Sequence, residues 1–196
     1  MSRKNKKFTL TTLDIAILTA GRVDLLEKCI DAILPQMKES YRLHVYNNGF
    51  PSEEYERVYR KLPEHSNVSR NRQNTGFPVG ANGAIKMGTA PLCLFISDDI
   101  FLHDGAIETL IARMKSDDTI GLCGYKFIFP EDSNDPSRPA GRVQHVGQAT
   151  NIRGDIIHPM IGWTPENPKT CISRDVIGVT GASFIVRRDA FRRARG

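Results

Sequence analysis

Apolar runs and helix-period segments alternate along the first 116 residues. LDIAILT, at 13–19, is an apolar run closed by Ala20-Gly21-Arg22 and reads as a buried strand. After it Leu25, Leu26, Cys29, Ile30, Ile33 and Leu34 recur at helical spacing. Asp24, with Glu27 three residues on, predicts an N-cap and capping box, and Pro35 weakens the helix end. YRLHVY, at 41–46, predicts a second strand ending in Asn47-Asn48-Gly49. Ser52 is the expected cap of a short helix whose first turn carries Glu53, Glu54 and Glu56. Residues 67–70 predict a weak third strand. Residues 74–100, NTGFPVGANGAIKMGTAPLCLFISDDI, then give a glycine-punctuated helix, a strand at 92–96 and two adjacent carboxylates.

Strand and helix in alternation argue an α/β fold with a mostly parallel central sheet flanked by helices. Ligands of such sheets bind beyond the carboxyl ends of the strands. Three polar clusters stand at predicted strand ends: residues 19–22, Asn47-Asn48-Gly49 and Ser97-Asp98-Asp99. They are expected to converge on one edge. Asp104 is the expected cap of a further helix with Ile107, Leu110, Ile111 and Met114 inward. Beyond it, 120–129, 143–150 and 176–186 predict strands of a smaller mixed sheet, and 189–195 starts a helix. Between them lie the loop EDSNDPSRPAG and an irregular stretch, 153–174, holding the only tryptophan, Trp163. Loops this long inside a domain are usually functional or mobile. No internal repeat is present.

Composition changes this picture little. The chain has 196 residues, 40% hydrophobic and 25% charged, which suits one domain with a substantial core. The net charge of +5 gathers partly at Arg3, Lys4, Lys6 and Lys7 and at Arg187, Arg188, Arg192, Arg193 and Arg195. No nucleic-acid motif accompanies it, so solvated ends are the simpler reading. The four cysteines lack C-x-x-C spacing and sit mostly in apolar surroundings, which predicts buried thiols in a cytosolic protein. No apolar run reaches the ~20 residues of a membrane span. The N-terminus lacks a signal-peptide apolar region.

The candidate chemistry begins with Asp98 and Asp99. Neighbouring carboxylates repel, and a site that holds them together usually supplies a cation. Oxygen ligands suit Mg²⁺ or Mn²⁺, which commonly share coordination with substrate phosphates. Gly76, Gly80 and Gly83 permit close backbone approach at a helix N-terminus, where phosphate is favoured; tight helix packing explains them equally well. Phe77, Ala81, Ala84 and Ile85 have core spacing. Asn74 and Asn82 can bond the loop or a ligand. Asn47 can read a base edge through its amide, or serve as a turn residue. Arg22 and Arg72 can contact phosphate. His145, in VQHVG, is more simply a structural histidine than a metal ligand.

Together these segments resemble the family 2 glycosyltransferases of the GT-A fold, especially a bacterial, rhamnosyltransferase-like branch. ILTAGRVDLLEKCIDAIL is similar to the family's first strand, Thr-x-x-Arg turn and helix. LHVYNNG is similar to its base-reading turn, residues 74–100 to its glycine-rich segment and DxD strand, and VQHVG and VTGASFIVRRDAF to later signatures. The resemblance implies Thr19 and Arg22 near the nucleotide, and Ala20 and Arg72 are counted with them as candidate nucleotide-sugar contacts. It places Asn47 at the base, and Asn74, Gly76, Gly80 and Asn82 around the ribose and diphosphate. Asp98 would lie by the ribose or metal, Asp99 would bind Mn²⁺ or Mg²⁺, and Thr180, Gly181 and Ala182 would line the sugar or acceptor end. Asn47 stands where the family usually has Asp, and Ser97 fills the first DxD position. The family's Gly-Phe-Asp-Glu-like stretch and later Glu-Asp motif, with its general base, are not matched. The expectation is therefore a base beyond Gly196.

The implied protein is a single GT-A domain over 1–196, with 1–116 the nucleotide-binding half and 117–196 the start of an acceptor-side half. It would transfer a sugar, with inversion and metal assistance, from a UDP- or dTDP-sugar to a saccharide or lipid-linked acceptor in polysaccharide biosynthesis. A cytoplasmic location, at the inner membrane face, goes with that role. Peripheral membrane contact, a homo-oligomer and further domains stay open; nucleic acid is not an expected partner. Two rival readings are a non-catalytic nucleotide-sugar or glycan-binding module, and a sugar nucleotidyltransferase suggested by Leu18-Thr19-Ala20-Gly21-Arg22.

Overall fold

A computed structural model describes residues 10–49 and 53–196. The chain divides into two units, Met1–Leu122 with Ile185–Gly196, and Cys123–Phe184. The first holds β1 (Leu13–Thr19), α1 (Val23–Ile33), β2 (Tyr41–Asn47), α2 (Glu54–Tyr59) and β3 (Asn67–Arg70). These are followed by α3 (Phe77–Lys86), β4 (Leu92–Ser97) and α4 (Ala106–Ser116). Then come β5 (Leu122–Gly124), β6 (Phe127–Ile128), β7 (Val143–His145), β8 (Ala149–Thr150) and β9 (Ile156–Ile157). β10 (Ser183–Arg187) and α5 (Arg188–Arg193) come last.

The six-stranded sheet has the order β3-β2-β1-β4-β10-β5. β1 runs parallel to both β2 and β4, and β2 parallel to β3. Every residue of β1 is buried, and α3 packs across β1, β2 and β4. The register sets Thr19 beside Asn47 and Leu18 beside Ser97. The three predicted polar clusters thus meet at the carboxyl ends of β2, β1 and β4.

Several local expectations are corrected. Arg22, not Asp24, is the N-cap of α1, and it makes no side-chain capping bond. Asp24 sits inside the first turn, and Glu27 instead pairs with Arg57 and Lys61 on and after α2. Gly105, with φ +77°, replaces Asp104 as the N-cap of α4 because the chain enters that helix through the left-handed region. The Ser52 cap lies outside the described residues, as do Arg3, Lys4, Lys6 and Lys7. The predicted strand 120–129 is two short ones, β5 and β6, and 143–150 divides into β7 and β8. Only 183–187 of the run 176–186 is strand. Gly178 has only an isolated bridge to Gln148. Cys29 and Cys93 are buried, but Cys123 is partly exposed and Cys171 exposed. Phe77 is half exposed, edge-on to Phe95.

The basic C-terminal segment is not simply solvated. Arg187 donates to the carbonyls of Ile120, Met114 and Asp117 and pairs with Asp118. Arg188 is buried. It donates to Ala90 O at 2.7 Å, to Ile85 O at 2.6 Å and to Asp14 Oδ2 at 2.7 Å. The same Asp14 oxygen accepts the Ala90 N–H at 2.7 Å, and Oδ1 faces His44 Nε2 at 3.1 Å. His44 Nδ1 accepts the Asn67 N–H, so a neutral His44 carries its proton on Nε2 and donates it to Asp14. Burial alone would raise the Asp14 carboxyl; the bonds from His44 and Ala90, with the charge of Arg188, hold it below its usual value. A Cβ at Gly88 would fall 2.1 Å from that carboxylate, so only glycine fits there.

Candidate functional site

The site forms where β1 and β4 end. Positive φ at Gly21 turns the chain out of β1 and lets its N–H reach the Tyr55 hydroxyl at 2.8 Å. Thr19 Oγ1 donates to Asp98 Oδ2 at 2.7 Å, and the Tyr55 hydroxyl stands 3.4 Å from Thr19. The Tyr55 oxygen accepts from Gly21 and Thr19 spends its proton on Asp98, so the Tyr55 proton points at Thr19. Arg22 Nη2 bonds Asp98 Oδ1 at 2.7 Å and Asp99 Oδ2 at 3.0 Å. The two carboxylates differ in surroundings: Asp98 is buried, and the Asp99 side chain is 44% exposed. One guanidinium against two carboxylates leaves one uncompensated negative charge.

Burial raises the Asp98 carboxyl above its ordinary value near 3.8, against the pull of Thr19 and Arg22; the charge of Asp99 adds to the rise. A folded-state pKa raised above the unfolded one means stability that is fully present below the unfolded value and lost as pH rises through the folded one. Asp98→Asn is therefore expected to unfold at an equal or higher urea concentration than the parent at pH 7. The difference should shrink as pH falls through the raised folded-state value of Asp98, where the parent protonates. A variant clearly less stable than the parent at pH 7 contradicts this.

Beside the carboxylates, Asn48 organises the loop that leads into α3. It is buried. Its Nδ2 donates to Asn74 Oδ1 at 3.1 Å and Gly76 O at 3.0 Å, and its Oδ1 accepts from Asn71 Nδ2 and Thr75 Oγ1. A Cβ at Gly80 would stand 2.7 Å from Asn48 Nδ2, and one at Gly83 2.5 Å from the Tyr46 ring. Both glycines are explained by close packing of α3 on β2. Gly49, at φ +107°, would bring a Cβ within 2.6 Å of the Asn74 backbone nitrogen, so this turn also demands glycine.

A cavity of about 190 Å³ opens here, lined among others by Thr19, Ala20, Arg22, Asn74, Asp98 and Asp99. It is smaller than the ~300–1,000 Å³ usual for small-molecule pockets and can hold one part of a larger ligand. Leu18, Asn48, Phe77 and Ser97 also line it and were missed. Asn48 and Ser97, polar at predicted strand ends, carried a usable sequence signal. Arg72, Gly76, Gly80 and Asn82 do not line the cavity: Arg72 is exposed, Gly76 is the N-cap of α3, Gly80 is buried and Asn82 half buried. Asn47 is buried, and its Nδ2 donates to the Tyr59 hydroxyl at 3.1 Å. Its Oδ1 is also buried, with no hydrogen-bond partner among the described residues. An orphaned acceptor of this kind is costly unless a ligand or water serves it. Tyr59 lies 5.7 Å from Tyr55 between ring centroids, under the Arg70 guanidinium.

In the second unit, Thr180, Gly181 and Ala182 lead into β10. The Thr180 N–H donates to His145 Nε2 at 3.1 Å, and His145 Nδ1 meets His158 Nδ1 at 2.9 Å. Burial, and then the facing His158, push His145 down to about 4, so it is neutral at physiological pH. Its Nε2 accepts, so its proton lies on Nδ1 and is donated to His158. His145 thus has a structural role in fixing the Thr180 turn.

The description "Glycosyl transferase family 2" matches residues 14–194. The chain belongs to this family. The family 2 glycosyltransferase chain also shares its fold with solved structures. One is the mannosyltransferase PcManGT from Pyrobaculum calidifontis in complex with GDP-Man and Mn²⁺. It aligns at TM-score 0.63 with 13% identity, over 96% of this chain and 48% of that one. TarS 1–349 from S. aureus aligns at TM-score 0.59 with 13% identity, over 94% of this chain and 49% of that one. This glycosyltransferase chain therefore spans about half the length of those structures. No curated protein matches it. Among the described residues no group of three or more His, Cys, Asp or Glu is placed to hold a metal ion, and no helix is long and apolar enough to cross a membrane.

Proposed function

We propose that this chain binds the donor of an inverting transfer from a nucleotide-sugar, UDP- or dTDP-linked, to a saccharide or lipid-linked acceptor. Within the family, the sequence pattern reads as that of a rhamnosyltransferase-like branch. The observation that carries the reading is the Thr19–Arg22–Asp98–Asp99 cluster at the carboxyl ends of parallel strands, where a diphosphate and its cation are expected. The neighbour solved with GDP-Man and Mn²⁺ supports that class of donor.

The residues fit a divalent cation shared with substrate. Asp99 is half exposed, and its Oδ1 has no partner among the described residues. One carboxylate plus phosphate oxygens and water is a common Mg²⁺ or Mn²⁺ environment. When bound, such an ion would neutralise charge building on the leaving diphosphate. Asp98 supports Arg22 and Thr19 rather than offering free oxygens. The orphaned Asn47 Oδ1 is an acceptor of the type a base N–H, such as N3–H of uracil or thymine, would need. It is buried outside the cavity lining, so a base reaches it only if the neighbouring Tyr59 side chain moves. Thr180, Gly181 and Ala182 are the proposed sugar- or acceptor-side residues. Peripheral membrane contact follows only if the acceptor is lipid-linked.

Calorimetric titration with UDP-, dTDP- and GDP-sugars in the presence of Mn²⁺ tests the reading. Saturable binding of at least one, displaced by the matching nucleoside diphosphate, is expected. Absence of binding by all three overturns it. Binding with neither hydrolysis nor transfer to any glycan would favour the non-catalytic module instead.

A further inference from the structure

We propose that Arg22 is a built-in counter-cation that competes with a divalent ion for Asp99, weakening ion binding there until a diphosphate arrives. The inference rests on the donor-site reading above. A single nitrogen, Nη2, stands 2.7 Å from Asp98 Oδ1 and 3.0 Å from Asp99 Oδ2. A metal bridging those two oxygens would need the space that the nitrogen fills, at the ~2.0–2.1 Å contacts Mg²⁺ requires. Guanidinium and metal therefore exclude each other from the bridge.

The partners differ in their freedom to move. Asp98 is held, with a side chain 4% exposed and its other oxygen taken by Thr19. The Arg22 side chain is 50% exposed and that of Asp99 44%. The Arg22–Asp99 contact is thus the one that can open into solvent at small cost. A diphosphate entering beside Arg22 offers the guanidinium an equivalent anionic partner with matching fork geometry. Arg22 can then turn from Asp99 to phosphate, and Asp99 is free for the ion that the diphosphate carries. Metal and donor binding become coupled, each raising the affinity of the other.

The coupling is tested first with Mn²⁺ alone, followed by electron paramagnetic resonance, so that no donor is involved. Arg22→Gln is expected to bind Mn²⁺ about tenfold more tightly than the parent, as one carboxylate loses its competing cation. An affinity equal to or weaker than the parent's overturns the proposal. A second measurement needs no variant. In the parent protein, the Arg22 guanidinium ¹⁵N signals should stay unmoved by Mg²⁺ alone and shift when UDP or dTDP is added with Mg²⁺. A shift with Mg²⁺ alone overturns the coupling. If UDP, dTDP and GDP all fail to bind, the donor-site reading fails, while the Mn²⁺ comparison still reports on Arg22.

Discussion

Asp99→Ala is expected to lower Mn²⁺-supported donor affinity about hundredfold, ~2.7 kcal/mol, the scale of removing one partner of a close charge pair. The loss should be confined to the metal-dependent part. Without metal, the variant should bind nucleoside diphosphate at least as well as the parent. Its Arg22 no longer has Asp99 to pair with and can meet phosphate. The size of the expected effect follows from the donor set. Asp98 is spent on Thr19 and Arg22, and Ser97 stands in the first position of the motif, so Asp99 is the one strongly charged ligand left for an ion. Calorimetry with and without Mn²⁺ separates the two contributions. Equal affinity for parent and variant in Mn²⁺ would remove the metal from the proposed site.

The second large effect lies at the opposite end of the sheet. Asp14→Ala is expected to destabilise the fold by about 3–5 kcal/mol, because it leaves the buried guanidinium of Arg188 without its counter-charge. His44 loses its acceptor and the Ala90 N–H its partner in the same step. Urea unfolding at pH 7 measures the change. The double variant Asp14→Ala with Arg188→Met should recover a substantial part of the loss, since it removes the stranded charge as well. Additive losses in the double variant would show that the ion pair is not the cause.

How much of this was legible beforehand depends on what each residue's neighbours are. The strands β1, β2 and β4 announce themselves as apolar runs, and the order of strand, turn and helix fixes which ends meet. Hence Thr19, Arg22, Asp98 and Asp99 could be grouped from sequence. Helix caps were less legible: Asp24 and Asp104 are good capping residue types, but the chain enters those helices through Arg22 and through a left-handed Gly105. Gly80 and Gly83 look like a phosphate cradle, yet their backbones approach Asn48 and Tyr46. Local sequence does not say which of two close approaches a glycine serves. Asn48 was read as part of a turn, whereas its amide bonds groups 23 to 28 residues away. Arg188 sits in a basic run, and only the fold reveals a carboxylate 174 residues earlier as its partner.

The order β1-β4-β10 has a consequence for how the chain acquires its structure. β10 is made of residues that are synthesised last among the sheet strands, yet it lies directly against β4 in the middle of the sheet. Until those residues are available, β4 presents an unpaired edge with an apolar sequence, and Asp14 is without Arg188. Closing a loop of that length is entropically costly and is repaid only when the late contacts form. Completion of the sheet thus waits for residues 183–187, and the exposed edge of β4 is the place where a partly synthesised chain is most open to pairing with another.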